Sequence, residues 1–141
     1  MKDDTANPAS VLVVDDFPST AELLALVLKR EGYDAVAVDS GEAALRAFQM
    51  NHFDLIVSDI FLPGISGYDL LRTLRAQRPI PAISISGNLQ GKDPAKSRAA
   101  GFDDHLNKPI AINQFLGLVH RILGSKRQSS DDARQGNPES N

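Results

Sequence analysis

Val11-Leu12-Val13-Val14-Asp15-Asp16 is the stretch on which the fold turns. Four consecutive apolar residues, three of them β-branched, are too few for a buried helix and suit a strand covered on both faces. Two carboxylates stand directly after it. Working outward, similar runs recur at Ala35–Val38, Leu55–Val57, Ala82–Ile85 and, in shorter form, His105–Asn107. Between them the apolar residues shift to helical spacing. Leu23, Leu24, Val27 and Leu28 mark one helix, with Gly32 placed to end it, and Ser40 can cap a second carrying Ala44, Leu45 and Phe48. Leu70, Leu71 and Leu74 mark a third, and an Ala-rich segment from about Pro94 to Ala100 reads as a fourth. Ile112, Phe115, Leu116, Val119, Ile122 and Leu123 form the clearest stripe, so a helix closes the unit. Strand and helix alternate five times. That predicts an α/β fold with a parallel sheet and helices on both faces.

The chain has 141 residues, 15 Lys plus Arg, 18 Asp plus Glu, a formal charge of −3 and no cysteine. This length suits one domain. The charge balance argues against binding nucleic acid or an anionic membrane through a basic surface. Without cysteine there is no disulfide, thiolate metal site or thiol nucleophile. No apolar run reaches the ~18 residues a membrane span needs, and the acidic start Met1-Lys2-Asp3-Asp4 is not a signal peptide. A cytoplasmic location is the expectation. Residues 1–10 read as a flexible polar arm and 11–124 as the folded domain. Residues 125–141, whose only hydrophobic residue is Ala133, read as a disordered tail.

In open α/β sheets, ligands bind outside the carboxyl ends of the strands. Asp15 and Asp16 follow the first strand, Asp59 the third, Ser86 the fourth and Lys108 the fifth. Three carboxylates on one rim repel one another, which should raise at least one pKa, and an all-oxygen site suits a hard cation such as Mg²⁺. A metal, a carboxylate, a hydroxyl and a lysine together can manage phosphoryl transfer. The dinucleotide glycine fingerprint and the Gly-Lys-Ser/Thr of a P-loop are both missing, which excludes nucleotide binding through either motif.

In order and spacing, three segments resemble the receiver domain of bacterial response regulators. They are Val11 to Asp16, Asp54 to Asp59 running on through Pro63-Gly64 to Gly67, and Asn107-Lys108-Pro109. The resemblance covers Val11 to Leu123. It implies a flavodoxin-like (βα)5 fold with strand order 2-1-3-4-5. It also implies that Asp59 accepts a phosphoryl group from a histidine kinase or histidine phosphotransfer protein. Asp15, Asp16, Asp59 and the Phe61 backbone carbonyl would hold Mg²⁺. Ser86 and Lys108 would contact phosphoryl oxygens, and Pro109 would follow a cis bond. Such a domain catalyses only its own phosphorylation and dephosphorylation. It would act on an unidentified protein target through strand five and the last two helices. Parts of the sequence also resemble receivers attached to hybrid histidine kinases.

One position departs from the pattern: the switch residue paired with Ser86, usually Tyr or Phe, is His105. Two rival readings remain. A haloacid-dehalogenase-like phosphatase would need an Asp where Phe61 stands. A pseudo-receiver, binding partners without phosphorylation, usually lacks the acidic pair or the lysine, and both are intact here.

Overall fold

In the computed structural model, which describes residues 8–87 and 98–135, the apolar runs become five parallel strands. These are β1 (Ser10–Val14), β2 (Asp34–Val38), β3 (Leu55–Asp59), β4 (Ala82–Ser86) and β5 (Asp104–Asn107). Their order is β2-β1-β3-β4-β5, the flavodoxin-like arrangement expected above. The helices are α1 (Pro18–Arg30), α2 (Gly41–Met50), α3 (Gly67–Gln77) and α4 (Ile112–Gln135). The Ala-rich helix expected near Pro94 falls mainly outside the described residues, of which Arg98 and Ala99 are helical.

Every residue of β3 and β4 is buried, as strands sandwiched in a parallel sheet must be. Period-two alternation divides the apolar side chains between the two faces. Leu12, Val14, Ile56 and Ala82 join Phe48 of α2 and Leu70, Leu71 and Leu74 of α3 in one cluster. On α1, Ala21, Leu24, Ala25 and Leu28 are buried. That helix ends as its sequence suggests. Gly32 takes φ +93°, its N–H reaches the Lys29 carbonyl at 3.0 Å, and the Tyr33 N–H reaches the Leu28 carbonyl at 3.1 Å. This paired closure needs a left-handed residue that glycine adopts without strain. Ser40 and Ser66 cap α2 and α3 by accepting from the N–H groups of Ala43 and Asp69.

Arg75, near the end of α3, fastens the start of β4 to the approach to β5. Its Nε and Nη2 donate to the Ile80 carbonyl at 3.1 and 2.9 Å, and its Nη1 donates to the Gly101 carbonyl. Nη2 also meets Asp103 Oδ2 at 3.0 Å, and that same oxygen accepts the Ala82 N–H at 2.8 Å.

The boundaries expected at both ends shift. The sheet begins inside the segment read as an arm: Ala9 is buried, and Ser10 pairs with Asp34 and donates its N–H to Asp54 Oδ2 at 2.9 Å. Residues 1–7 lie outside the described part. At the other end, the chain divides into two compact units, Met1–Ile110 and Ala111–Asn141. In the second, Phe115, Val119 and Leu123 are buried, which matches the expected stripe. However, α4 continues to Gln135, through residues read as a disordered tail. Extending a formed helix adds a hydrogen bond for each residue fixed, and Lys, Arg, Gln and Ala are good helix formers. Residues 136–141 lie outside the described part.

Candidate functional site

The sheet delivers the expected rim residues to one place. In the pairing of β1 with β3, Val14 stands opposite Ser58, so Asp15 and Asp59 emerge side by side where the strand order reverses direction. Carboxylate oxygens of Asp15, Asp16 and Asp59 all lie within 4.8 Å of one another. Asp15 is fully buried and Asp59 is 4% exposed, while Asp16 is open to solvent. The Lys108 N–H donates to the Ser86 carbonyl at 2.8 Å, which places the lysine just beyond β5 beside the end of β4. Its side chain reaches back across the rim, with Nζ 2.9 Å from Asp59 Oδ2 and 3.1 Å from Asp15 Oδ2. The Lys108–Pro109 peptide is cis.

Backbone donors hold the remaining carboxylate oxygens. Phe61 N–H donates to Asp59 Oδ1 at 3.0 Å, and Phe17 N–H to Asp15 Oδ1 at 2.9 Å. Asp15 Oδ2 is different: although Lys108 is close, this buried oxygen accepts no hydrogen bond. A buried carboxylate oxygen held only by the charge of Lys108, beside two other carboxylates, belongs to a donor set that fits a hard divalent cation.

Burial pushes the Asp59 carboxyl above its ordinary value of 3.8, against the pull of Lys108 and the Phe61 N–H, with the Asp15 charge a smaller push in the same direction. The expected rise is present, but its main cause is desolvation rather than repulsion. Burial acts downward on Lys108. The hydrogen bonds and charges of Asp59 and Asp15 outweigh it and leave the ammonium above 10.5.

A raised carboxyl pKa means that the folded chain binds this proton more tightly than the unfolded chain does. Ionised Asp59 therefore costs stability at pH 7, and the cost fades as pH falls through the folded pKa towards 3.8. Asp59→Asn is expected to be more stable than the parent at pH 7, with an advantage that shrinks on acidification. Urea melts of both chains from pH 7 down to about 4 check this. A constant difference would mean that Asp59 titrates normally.

Ser86 and His105 form a second group on the same strands. His105 Nε2 lies 3.3 Å from Ser86 Oγ and 3.1 Å from Asn107 Oδ1, while its Nδ1 lies 2.7 Å from Ser84 Oγ. Phe61 is largely exposed, and two further residues join the site unannounced. The Phe17 ring lies over Lys108, its centroid 4.9 Å from Nζ, close enough for a cation–π contact. Ser84, fully buried, was detectable in principle, because residues two apart on a strand share a face and Ser86 was already a candidate.

The sequence matches the family described as the response regulator receiver domain over residues 11–120. It is 34% identical over 124 residues to the sensory transduction protein RegX3 of Mycobacterium tuberculosis, an alignment covering 88% of this chain and 54% of that protein. The chain spans about half the length of the curated relatives it matches. Among solved structures, a Francisella response regulator receiver domain superposes with a TM-score of 0.77 at 30% identity, covering 85% of this chain and 99% of that one. The signal receiver domain of a histidine kinase from Syntrophus aciditrophicus gives a TM-score of 0.74 at 33% identity, covering 83% and 91%.

Proposed function

This chain belongs to the response regulator receiver family, and from that premise we propose that Asp59 accepts a phosphoryl group from the histidine of a kinase or phosphotransfer protein. Receiver domains are signalling modules that interact with such proteins. The observation that carries the proposal is Lys108 bridging Asp59 and Asp15 on a rim of three carboxylates. One Asp59 oxygen attacks phosphorus as the bond from phosphorus to the donor's imidazole nitrogen breaks. The electron pair stays on that nitrogen, and Asp59 becomes an acyl phosphate. Both Asp59 oxygens are oriented by one donor each, which leaves a lone pair free for attack. Lys108 is a point charge on a flexible stem and can follow the incoming phosphoryl oxygens. Ser86 donates to another of them.

Asp15, Asp16, Asp59 and the Phe61 carbonyl would hold Mg²⁺. When bound, the ion supplies charge neutralisation at the phosphoryl oxygens. Because the folded cluster binds it better than the unfolded chain, Mg²⁺ should raise the thermal midpoint by a few degrees, and Asp16→Asn should lose most of that rise. Calorimetry at low salt with and without Mg²⁺ checks this. An unchanged midpoint in the parent chain would remove the metal from the reading.

Phosphorylation would alter binding to a downstream protein. A pseudo-receiver usually lacks the acidic pair or the lysine, both of which are intact here, and Phe61 occupies the place where a haloacid-dehalogenase-like phosphatase needs its acid. The test is to incubate the chain with acetyl phosphate and Mg²⁺, trap the acyl phosphate and map it by mass spectrometry. Modification at Asp59 alone supports the proposal; modification at another residue overturns it.

A further inference from the structure

We propose that Ser84 is a positioning residue for the phosphoryl-transfer site. It donates its hydroxyl proton to His105 Nδ1, which fixes the ring as its Nε2–H tautomer and leaves Ser86 free to donate its own proton. The inference rests on the reading of Asp59 as phosphoacceptor and adds a residue to that site. Ser84 stands opposite His105 in the pairing of β4 with β5 and shares a strand face with Ser86. It is fully buried, where a hydroxyl must find a partner.

The orientation of the Asn107 amide, taken with the distances, assigns the protons. The Asn107 amide turns its Oδ1 to the ring at 3.1 Å, and in that orientation, where the oxygen can only accept, the proton lies on His105 Nε2. In the neutral ring Nδ1 is then a bare acceptor, and the 2.7 Å contact from Ser84 Oγ is the shortest the ring makes. The Asp104 carbonyl, 3.3 Å from the same hydroxyl, is the weaker acceptor. With the proton on Nε2, Ser86 Oγ at 3.3 Å faces a donor, not an acceptor. Its hydroxyl proton points elsewhere, available to a phosphoryl oxygen. The opposite tautomer would need the Asn107 amide turned over to present its NH2 and would draw the Ser86 proton into the ring.

Imidazole ¹⁵N shifts of the unphosphorylated full chain at pH 7.5 read the tautomer directly. The parent and Ser84→Thr should show a pyrrole-type Nε2 and a pyridine-type Nδ1, and Ser84→Ala should show a mixture. An Nδ1–H ring or an imidazolium in the parent overturns the proposal, whether or not any variant folds. Labelling of Asp59 by acetyl phosphate should fall about five-fold in Ser84→Ala, the scale of one neutral hydrogen bond. It should fall no further when that change is added to Ser86→Ala. An equal fall in both backgrounds would make Ser84 merely structural. If the parent takes no label, the phosphoacceptor reading fails, and the ring spectra alone decide the tautomer.

Discussion

Asp59→Asn should carry no acyl phosphate after incubation with acetyl phosphate and Mg²⁺, and EDTA should abolish labelling of the parent. An amide is neutral, and its oxygen is far too weak a nucleophile to attack phosphorus. The neighbouring carboxylates are poor substitutes. Asp15 is fully buried, with one oxygen on the Phe17 N–H and the other facing Lys108. Asp16 is open to water and follows β1 rather than ending the central strand. The variant is also expected to be the more stable chain at pH 7, so unfolding cannot account for lost label. Phosphoryl signal that persists in Asp59→Asn, or that survives chelation in the parent, would refute the mechanism.

Gly67→Ala should cost about 3 kcal/mol of folding stability, the upper range for overpacking, and should impair labelling as well. A Cβ at this position would sit 2.4 Å from the Asp59 carbonyl oxygen and 2.8 Å from the Ile60 Cα. Both are backbone atoms, which cannot rotate aside. The Gly67 N–H donates to the Ile60 carbonyl at 2.8 Å, so the first turn of α3 lies directly against the end of β3. Relief would require α3 to back away or the Asp59 backbone to shift, and either moves the phosphoacceptor. Denaturant titration gives the stability change. A parent-like midpoint would show that the contact yields easily.

Much of this architecture is legible in the amino acids, and the exceptions share a cause. β1, β3 and β4 announce themselves because both faces are buried and apolar. Their ends do not, since Asp59 and Ser86 are polar yet still belong to strands. Leu106 is the one buried residue of β5, which leaves little pattern to read there. The candidate rim residues could be gathered because topology sends every strand end to one edge. What they experience there depends on depth, which adjacency along a chain does not report: hence a carboxyl raised mainly by burial and a lysine shared between two acids. Ser84 is silent because a hydroxyl within a strand reads as neutral until its partner across the pairing is known. The extension of α4 to Gln135 is hidden for another reason. Composition registers the lack of a face to bury, whereas a helix end propagates through local hydrogen bonds.

The Arg75 clamp has an evolutionary consequence. Because one guanidinium joins Ile80, Gly101 and Asp103, the alignment of β4 with β5 is secured at their amino ends by α3. Loss of Arg75 would therefore be felt at the opposite end of the strands, where Lys108, just beyond β5, meets Asp59. A residue remote from the chemistry thus comes under the same selection as the residues that perform it.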